Sequence, residues 1–531
     1  MCSIVIRGRA WTSYLTVASR RILTRAARSF SRLVFMKSKA KVMKSRTTPE
    51  NLVVDARVAV ANEPAIADVS RRGFLKTGGM AAAAMIVQPH VLGGPAHTAP
   101  SDRVNVAIIG AGGRGRQNVR ELLKLQDVRV SAVADPAEFW DLSNYYYRGE
   151  AGRLPVCAEI EKHYQQSEPG FKCHQEVDYR ELFATRASVF DAVLCATPDH
   201  MHAHATLAAM RAGKHVYCEK PLTHNIAEAR LVSRVAAEAG VATQLGNQGH
   251  SKDTIRETVE LIRAGAIGKV AEVHAWVPAT RWNKSLTKPP VNAQPIPQGL
   301  NWDLWCGVRN PPGFHEAYAP VAWRDFWNFG CGAMGDFGCH DLDSAVWALD
   351  LGLPSRIEMR AAGASDPNLA PFGEIGYFDF PASGARGPVR LNWYSGGLLP
   401  PTPEALPDTV RLPRRGVLFV GSEGVMLCGG AGGEAVIYPE EHAKTVEKPD
   451  ETLKRSAGHH RDWVDAIKGG PPASSEFSYG AKLTEITLLG LVAMRTGKII
   501  HWDAQKMNAR NCPEAEQIVK GEYREGWRLD Q

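Results

Sequence analysis

Two short segments of this chain carry side chains that could take part in proton and hydride chemistry. In residues 335–341, Asp336 and His340 are four positions apart, so on a helix they share one face. A histidine titrates near neutral pH and suits the role of general base in the oxidation of a hydroxyl, especially when a carboxylate orients it. The same pair could instead be a helix N-terminal cap beside a structural histidine.

The other segment contains Glu219 and Lys220, which directly precede Pro221 at the end of a predicted strand. A proline keeps the residue before it out of the helical region and permits a cis peptide bond, which would hold the Lys220 ammonium toward a bound cofactor ring. The strand before Thr197 should end at the same edge of a parallel sheet, where ligands bind. Without that context, a Glu–Lys pair is equally typical of a charged surface.

A dinucleotide-binding pattern lies upstream in residues 104–115, where an apolar strand runs into GAGGRG and a predicted helix. In the GxGxxG pattern, Gly110 permits a tight turn, Gly112 lets the backbone approach a pyrophosphate, and Gly115 lets the helix pack closely on the sheet. The helix N-terminus offers free N–H groups to the phosphates. The alternative is a structural turn. The loop residues predicted to contact a cofactor are Gly110, Gly112, Gly113, Arg114 and Gly115.

An acidic residue follows the next apolar strand at the position expected for ribose recognition. This strand covers residues 128–134 and ends at Asp135, twenty residues after Gly115. A carboxylate there would meet the ribose hydroxyls of a dinucleotide. Pro136 and Ala137 follow, so the sequence provides no adjacent arginine for a 2′-phosphate. The pattern therefore favours NAD over NADP.

The elements that must position these residues form two different patterns. From residue 104 to about 245, apolar strands alternate with helical stretches, which predicts a parallel sheet covered on both faces. After residues 104–109 and 128–134, the predicted elements are strands at 190–196, 215–218 and 242–245 and helices at 203–212 and 226–239. Residues 137–168, rich in Tyr and Glu, interrupt this alternation; they either cover the adenosine side of the cleft or form a solvated excursion.

Beyond Gly246 the pattern changes to longer loops and predicted antiparallel strands. The predicted elements are strands at 270–277, 356–362, 389–393, 417–420 and 435–438 and helices at 333–349, 459–468 and 479–496. They predict an α+β domain with a large open, mainly antiparallel sheet, a kind of surface that often joins subunits, so we expect a homo-oligomer, a dimer or a tetramer. The predicted segments are a basic leader (1–101), a Rossmann domain (102–245), an α+β domain (246–505) and a C-terminal tail (506–531).

Positive charge is concentrated in the leader. The whole chain has a net charge of +7, yet residues 1–69 alone hold 13 Lys and Arg against four Asp and Glu. The remainder is net acidic, which argues against nucleic-acid binding by the folded part. Residues 70–76, SRRGFLK, resemble a bacterial twin-arginine export signal, and predict a periplasmic protein whose leader is disordered or removed. The apolar run that follows, residues 80–87, is shorter than the roughly 18 residues that span a bilayer, so no stable membrane insertion is expected. A basic, disordered tail is the alternative.

The motifs in combination are those of a known family. GAGGRG, ATPDHMHAHA, CEKP and GDFGCHDLD together resemble the Gfo/Idh/MocA oxidoreductases, relatives of glucose-fructose oxidoreductase and inositol dehydrogenase, from about residue 104 to 501. The resemblance implies a Rossmann domain followed by an open-sheet α/β domain. It also implies that His340 is the catalytic base, that Asp336 orients it and binds the substrate hydroxyl, and that Lys220 holds the reacting oxygen.

By the same resemblance, Thr197, Pro198 and His202 would line the cofactor cleft, and Glu219 would lie near the nicotinamide ribose. Gln248 follows the last predicted Rossmann strand and could reach the nicotinamide amide or the substrate.

Two further groups of residues have alternative explanations. Six tryptophans between residues 276 and 327 could stack on the apolar faces of sugar rings or fill the second core. His200, His202 and His204 are spaced so that they do not share one helix face, and no metal site is expected.

The resemblance implies an exported, NAD-dependent oxidoreductase that acts on a secondary hydroxyl of a small sugar or polyol, and the cofactor could stay bound between turnovers. Two alternatives remain open at this point. One is an NAD-dependent glycoside hydrolase that oxidises its sugar transiently and eliminates the aglycone. The other is a non-catalytic, nucleotide-stabilised sugar-binding protein.

Overall fold

Two β-sheets organise residues 102–529, the part of the chain that this computed structural model describes. The strands of its first part are β1 (Val104–Ile109), β2 (Val128–Ala134), β3 (Trp140–Asp141), β4 (Glu150–Ala151), β5 (His174–Glu176), β6 (Ala192–Cys195), β7 (His215–Cys218) and β8 (Thr243–Leu245). Six of them form a parallel sheet in the order β5-β2-β1-β6-β7-β8, and β3 pairs with β4 alone. The residues of β6 are all buried, as expected where helices cover both faces.

The helices of this first part pack on the parallel sheet. They are α1 (Gly113–Leu122), α2 (Arg153–Tyr164), α3 (Tyr179–Arg186), α4 (Asp199–Arg211) and α5 (Ile226–Ala239). The bounds of α5 follow from its ends: the side chains of Asn225 and Glu228 form a capping box, and Gly240 ends the helix at a φ of 62°. The predicted Rossmann fold is thus confirmed, with β2, β7 and α5 at the predicted residues.

The second sheet has nine strands. They are β9 (Glu272–Trp276), β10 (Arg356–Ala362), β11 (Gly373–Phe380), β12 (Val389–Tyr394), β13 (Gly416–Val420), β14 (Val425–Gly429), β15 (Ala435–Tyr438), β16 (Ile500–Asp503) and β17 (Asn508–Ala509). Their order is β15-β14-β13-β9-β12-β11-β10-β16-β17. The β9–β12 pair is parallel and the other pairs are antiparallel, which confirms the predicted mainly antiparallel sheet.

The helices of the second part lie against this sheet or connect it to the first one. They are α6 (Asp253–Arg263), α7 (Trp302–Cys306), α8 (Gly332–Asp341), α9 (Asp343–Ala348), α10 (Glu440–Ala443), α11 (His459–Ile467), α12 (Phe477–Thr496) and α13 (Glu516–Lys520). The long helix α12 packs on α5, α8 and β10, so one hydrophobic core continues from the parallel sheet into the open sheet.

Some predictions of single elements were incomplete. One helix was expected over residues 333–349, but the chain forms α8 and α9 with Leu342 between them. The strands β11 and β14 were not predicted; both lie between hydrogen-bonded neighbours, so sheet pairing stabilises them.

The predicted leader lies outside the described residues. Within residues 102–529, no helix combines the length and the apolar character of a membrane span. These residues fall within one unit by their mutual contacts, and the proposed domain boundaries remain predictions.

Candidate active site

A cleft runs along the carboxyl ends of β1, β2, β6 and β7 and encloses about 1160 Å³, including the open space at its mouth. Asp135 follows β2 and Lys220 follows β7, on either side of β1 and β6 in the sheet, so these two residues lie toward opposite ends of the cleft. The predicted cofactor residues that line it are Gly110, Gly112, Gly113, Arg114, Asp135, Thr197, Pro198, His202, Glu219 and Lys220. Four other predicted site residues, Gly115, Gln248, Asp336 and His340, lie outside the cleft wall.

The glycine loop has the geometry that its sequence predicts. Gly110 has a φ of +91°, and a Cβ on it would lie 2.6 Å from the backbone of Ala196. Gly115 lies below the cleft wall, where a Cβ would overlap the carbonyl oxygen of Gly110. By contrast, apart from the adjoining residues, no atom of residues 102–529 lies within 4 Å of the Cβ position of Gly112. This open position is where a pyrophosphate can approach the backbone, so the loop fits a dinucleotide.

Asp135 lies at the opposite end of the cleft from Lys220. Its two carboxylate oxygens accept the backbone N–H groups of Ala111 at 2.6 Å and Ala137 at 2.8 Å. Burial raises the pKa of Asp135 to about 6, although these two hydrogen bonds oppose the rise. The side chain of Arg153 donates to the carbonyl oxygen of Asp135 at 2.8 Å and does not line the cleft.

The inserted segment between β2 and β5 covers the glycine loop. The ring of Tyr147 occupies the space that a Cβ on Gly113 would need, and it lines the cleft. Arg116, in the first turn of α1, holds the segment by donating to the carbonyl oxygens of Tyr147 at 2.8 Å, Arg148 and Glu150. The sequence did not point to Tyr147 because nothing local indicates where an insertion folds back.

Glu219 is held by four donors. Its Oε1 accepts hydrogen bonds from Arg114 at 2.8 Å, Asn118 at 2.9 Å, Gln248 at 3.0 Å and the Tyr217 hydroxyl at 3.5 Å. Burial would raise the pKa of Glu219, but the charge of Arg114 and the hydrogen bonds outweigh it and lower the pKa to about 2. The other oxygen, Oε2, is buried without a hydrogen-bond partner among the described residues. This oxygen has no exposed surface and lies beside Gly246, and Gln248 positions Glu219 from outside the cleft.

At the far end of the cleft, Lys220 forms an ion pair with Asp336 of α8. Arg324 Nε lies 3.5 Å from the same carboxylate oxygen. Burial opposes the charge on Asp336, but Lys220 and Arg324 hold its pKa well below the usual range. Burial likewise opposes the charge on Lys220, and Asp336 raises its pKa overall. Both groups are therefore ionised at neutral pH. The Lys220–Pro221 peptide bond is cis.

His340 lies one helical turn after Asp336 on α8. Its Nδ1 is buried without a hydrogen-bond partner, and no hydrogen bond joins it to Asp336 in the described part of the chain. Burial, followed by the positive charge of Lys220, lowers the pKa of His340 well below its ordinary value. The imidazole of His340 is therefore neutral. It lies close enough to Lys220 for the ammonium charge to affect its pKa. Asp336 pairs with Lys220 and Arg324 and does not orient the His340 ring.

Asp199 is a cleft residue that the sequence reasoning did not select. It is the first residue of α4 and follows Thr197 and Pro198 at the end of β6. Its side chain is buried, lines the cleft and accepts the backbone N–H of Cys331 at 3.1 Å. The available signal was its position in the loop after a parallel strand, which places a polar side chain at the ligand-binding edge.

The three histidines of α4 bind backbone carbonyl groups. His202 joins two cleft segments, because its ring nitrogens lie 2.9 Å from the oxygen of Thr197 and 2.6 Å from that of Pro221. His200 contacts the carbonyl oxygens of Trp305 and Phe329, and His204 that of Trp527. Among the described residues, no His, Cys, Asp or Glu side chains are grouped as metal ligands.

The six tryptophans divide between the two explanations. Trp305 and Trp323 line the cleft. Arg324 lies over the rings of Trp323 at 4.1 Å and Trp282 at 5.4 Å, so these rings help to hold its guanidinium. Trp276 and Trp327 belong to the core, and Trp302 packs on Trp305 in an aromatic cluster beside the cleft.

Comparison with known proteins matches both parts of the chain to one family. Residues 104–247 match the model of the Gfo/Idh/MocA oxidoreductase family described as an NAD-binding Rossmann fold, and residues 253–378 match its C-terminal alpha/beta domain. Together these segments make up just over half of the chain. The chain belongs to the Gfo/Idh/MocA oxidoreductase family. Residues 104–247 therefore form the NAD-binding Rossmann fold of that family.

Alignments with individual relatives are either short or of low sequence identity. It is 43% identical over 81 residues to 1,5-anhydro-D-fructose reductase of Ensifer adhaerens, an alignment that covers 15% of this chain and 24% of that protein. It is 25% identical over 408 residues to inositol 2-dehydrogenase of Streptomyces avermitilis, covering 75% of this chain and 94% of the relative. The chain spans only about a quarter to two-fifths of the length of the first curated relatives that it matches.

A solved structure shows the same fold at low sequence identity. The WlbA dehydrogenase from Chromobacterium violaceum, solved with NADH and UDP-GlcNAcA, aligns with a TM-score of 0.52 and 15% identity over 79% of this chain and 99% of that chain. The likeness supports the two-sheet architecture described above.

Proposed function

We propose that this protein transfers hydride between NAD and a secondary hydroxyl of a sugar or polyol. The observation that carries the proposal is the Lys220–Asp336 ion pair at one end of a cleft whose other walls are the glycine loop, Asp135 and Glu219. The names of the relatives, an inositol dehydrogenase and an anhydrofructose reductase, support a substrate of this class.

The cleft can hold NAD with groups already in place. The backbone at Gly112 is open to a pyrophosphate, Asp135 is positioned for a ribose, and Glu219 lines the part of the cleft beside Lys220, where the second ribose would lie. When bound, NAD supplies the acceptor or donor of hydride.

The chain's own residues would then bind and orient the substrate. Lys220, charged and buried, can donate a hydrogen bond to the reacting oxygen and stabilise negative charge that develops there. Asp336 keeps the ammonium in position, and the neutral imidazole of His340 could take up a proton. Trp305 and Trp323 line the cleft, where they can contact the apolar face of a sugar ring.

Native mass spectrometry of the purified protein, followed by a sugar and polyol screen at the NADH absorbance band, tests this proposal. We expect NAD to be bound and at least one sugar or polyol to change the absorbance. Release of aglycone from an aryl glycoside without net NADH formation would instead support the glycoside hydrolase. A Lys220→Ala variant that binds NAD normally and changes no turnover would support the non-catalytic binding protein.

We also propose that the protein is exported by the twin-arginine route, on the basis of residues 70–76 and the apolar run after them. Cell fractionation of the full chain and of an Arg71→Lys, Arg72→Lys variant tests this. Export predicts that the protein is periplasmic and that the variant stays in the cytoplasm; equal distribution of the two would contradict it.

The nine-stranded sheet is the basis for proposing a homo-oligomer, a dimer or a tetramer. Light scattering after size-exclusion chromatography tests this proposal, and a monomeric mass at micromolar concentration would contradict it.

A further inference from the structure

Besides Glu219, two carboxylates lie near Lys220 and Arg324 at the reactive end of the cleft, and they differ in their access to it. Asp199 lines the cleft and is 5% exposed, whereas Asp336 lies outside the wall and contacts the cleft through Lys220 and Arg324. A group that exchanges a proton with a bound substrate must lie within hydrogen-bond reach of it. Among these two carboxylates, Asp199 has that access.

The two carboxylates also differ in their cationic partners. Lys220 and Arg324 both lie against the same oxygen of Asp336. In residues 102–529, no Lys, Arg or His nitrogen lies within ion-pair distance of Asp199, and its hydrogen bond comes from the backbone of Cys331. Asp336 is therefore the carboxylate that forms ion pairs with the nearby cations, and Asp199 is a buried carboxyl without a salt bridge.

The charged and titratable groups that face Asp199 are Lys220, Arg324, Asp336 and the Cys331 thiol. Burial raises the pKa of Asp199 to about 7, the charge of Asp336 adds to the rise, and Lys220 and Arg324 oppose it. Neighbouring carboxyl groups whose environments separate their pKa values often divide the acid and base roles of an active site.

Resting on the proposed function, we infer that Asp199 is a further catalytic residue and that it, rather than His340, accepts the proton of the reacting hydroxyl and returns it in the reverse direction. During oxidation, the O–H bond breaks and its proton passes to a carboxylate oxygen of Asp199. The electron pair of that bond forms the C=O bond, and the C–H bond breaks with its electrons leaving as hydride to NAD. The alcohol is oxidised to a carbonyl compound and NAD is reduced.

Asp199→Asn tests this inference, because an amide oxygen can still accept the Cys331 N–H but cannot take up a proton. With NAD and either myo-inositol or D-glucose, we expect kcat to fall by about 10²–10⁴-fold and the pH dependence near 7 to disappear, while NAD binding is retained. The matched control is Asp253→Asn, the exposed first residue of α6, which should keep wild-type kcat. Wild-type kcat in Asp199→Asn, or loss of the pH dependence in His340→Asn with retention in Asp199→Asn, would overturn the inference.

Thermal unfolding provides a readout that needs no substrate. A carboxyl whose pKa is higher in the folded state than in the unfolded state contributes most to stability when it is protonated. For Asp199 this contribution is complete below the unfolded pKa of 3.8 and is lost as pH rises through the folded pKa of about 7. We therefore expect the Tm of Asp199→Asn relative to the wild type to rise by several degrees between pH 4 and 8. Asp336→Asn should instead show a nearly constant Tm difference over this range, because the lowered pKa of Asp336 keeps it ionised in the folded state, and its contribution is lost only as pH falls below 3.8.

A Tm difference between Asp199→Asn and the wild type that stays constant from pH 4 to 8 would contradict the inference. Different results would contradict the proposed function and the role of Asp199. A wild-type protein without turnover contradicts the proposed function, whereas turnover that persists in Asp199→Asn contradicts only the role of Asp199.

Discussion

Lys220 and Asp336, 116 positions apart in the chain, form an ion pair between the end of β7 and the helix α8. Arg324 contacts the same carboxylate, so three buried charges lie together at one end of the cofactor cleft. Removing one partner of a buried pair leaves an uncompensated charge, which makes each of these residues sensitive to substitution.

Lys220→Met should lower kcat by about 10²–10³-fold, because the ammonium is a buried, charged donor that can reach the reacting oxygen. The affinity for NAD should change little, since the glycine loop and Glu219 remain. NADH absorbance measures the first effect and calorimetric titration with NAD the second. Lys172→Met, whose side chain is 76% exposed, is the control and should match the wild type. Full turnover in Lys220→Met would contradict the assigned role.

Glu219→Gln should destabilise the fold by roughly 3 kcal/mol at pH 7, because the pKa of Glu219 is lowered from 4.5 to about 2 and Arg114 would lose its buried partner. A carboxyl whose pKa is lower in the folded state than in the unfolded state stabilises the fold above the unfolded pKa. For Glu219 this contribution is lost as pH falls from 4.5 through about 2. Urea unfolding at pH 7 and pH 3 should therefore show a smaller difference between variant and wild type at the lower pH.

A control for this experiment is Glu238→Gln, an exposed carboxylate 3.9 Å from Arg234. It should change the unfolding free energy by less than about 0.5 kcal/mol. An equal change in the unfolding free energy for the two substitutions would show that the buried ion pair of Glu219 does not stabilise the fold.

Two glycines of the dinucleotide loop should respond differently to alanine. Gly112→Ala has space in the folded protein, so it should leave stability unchanged but weaken NAD binding by about tenfold, or about 1.4 kcal/mol. Gly115→Ala would place a methyl group against the carbonyl oxygen of Gly110 and should cost about 1–3 kcal/mol of stability. Thermal unfolding and NAD titration of both variants separate the effects; a stability loss in Gly112→Ala would disagree with the open space at that position.

Tyr147→Ala should speed NAD dissociation by about tenfold, because the Tyr147 ring lies over the glycine loop at Gly113. Stopped-flow displacement of NADH measures this rate. The neighbouring Tyr146 is 75% exposed and outside the cleft, so Tyr146→Ala is the matched control and should release NADH at the wild-type rate. The covering role fails if both variants release it equally.

The chain's local patterns were sufficient to predict the Rossmann part. Burial on both faces requires continuous apolar strands, and the turn at Gly110 requires a residue that tolerates a φ of +91°, so both features are visible in neighbouring residues. Strands β11 and β14 were missed because they are stabilised by pairing with other strands. The local alternation of polar and apolar residues contains no information about that pairing.

The sequence alone determined which residue types could carry the chemistry: the glycine loop, Asp135, Lys220, and the Asp336–His340 pair on one helix. Only the tertiary structure decided how they are arranged. It paired Asp336 with Lys220 and Arg324, placed Gln248 against Glu219 outside the cleft, and brought Asp199 and Tyr147 into the wall. The physical reason is that charge pairing and burial depend on contacts between elements far apart in the chain, whereas turns and strands depend on adjacent residues.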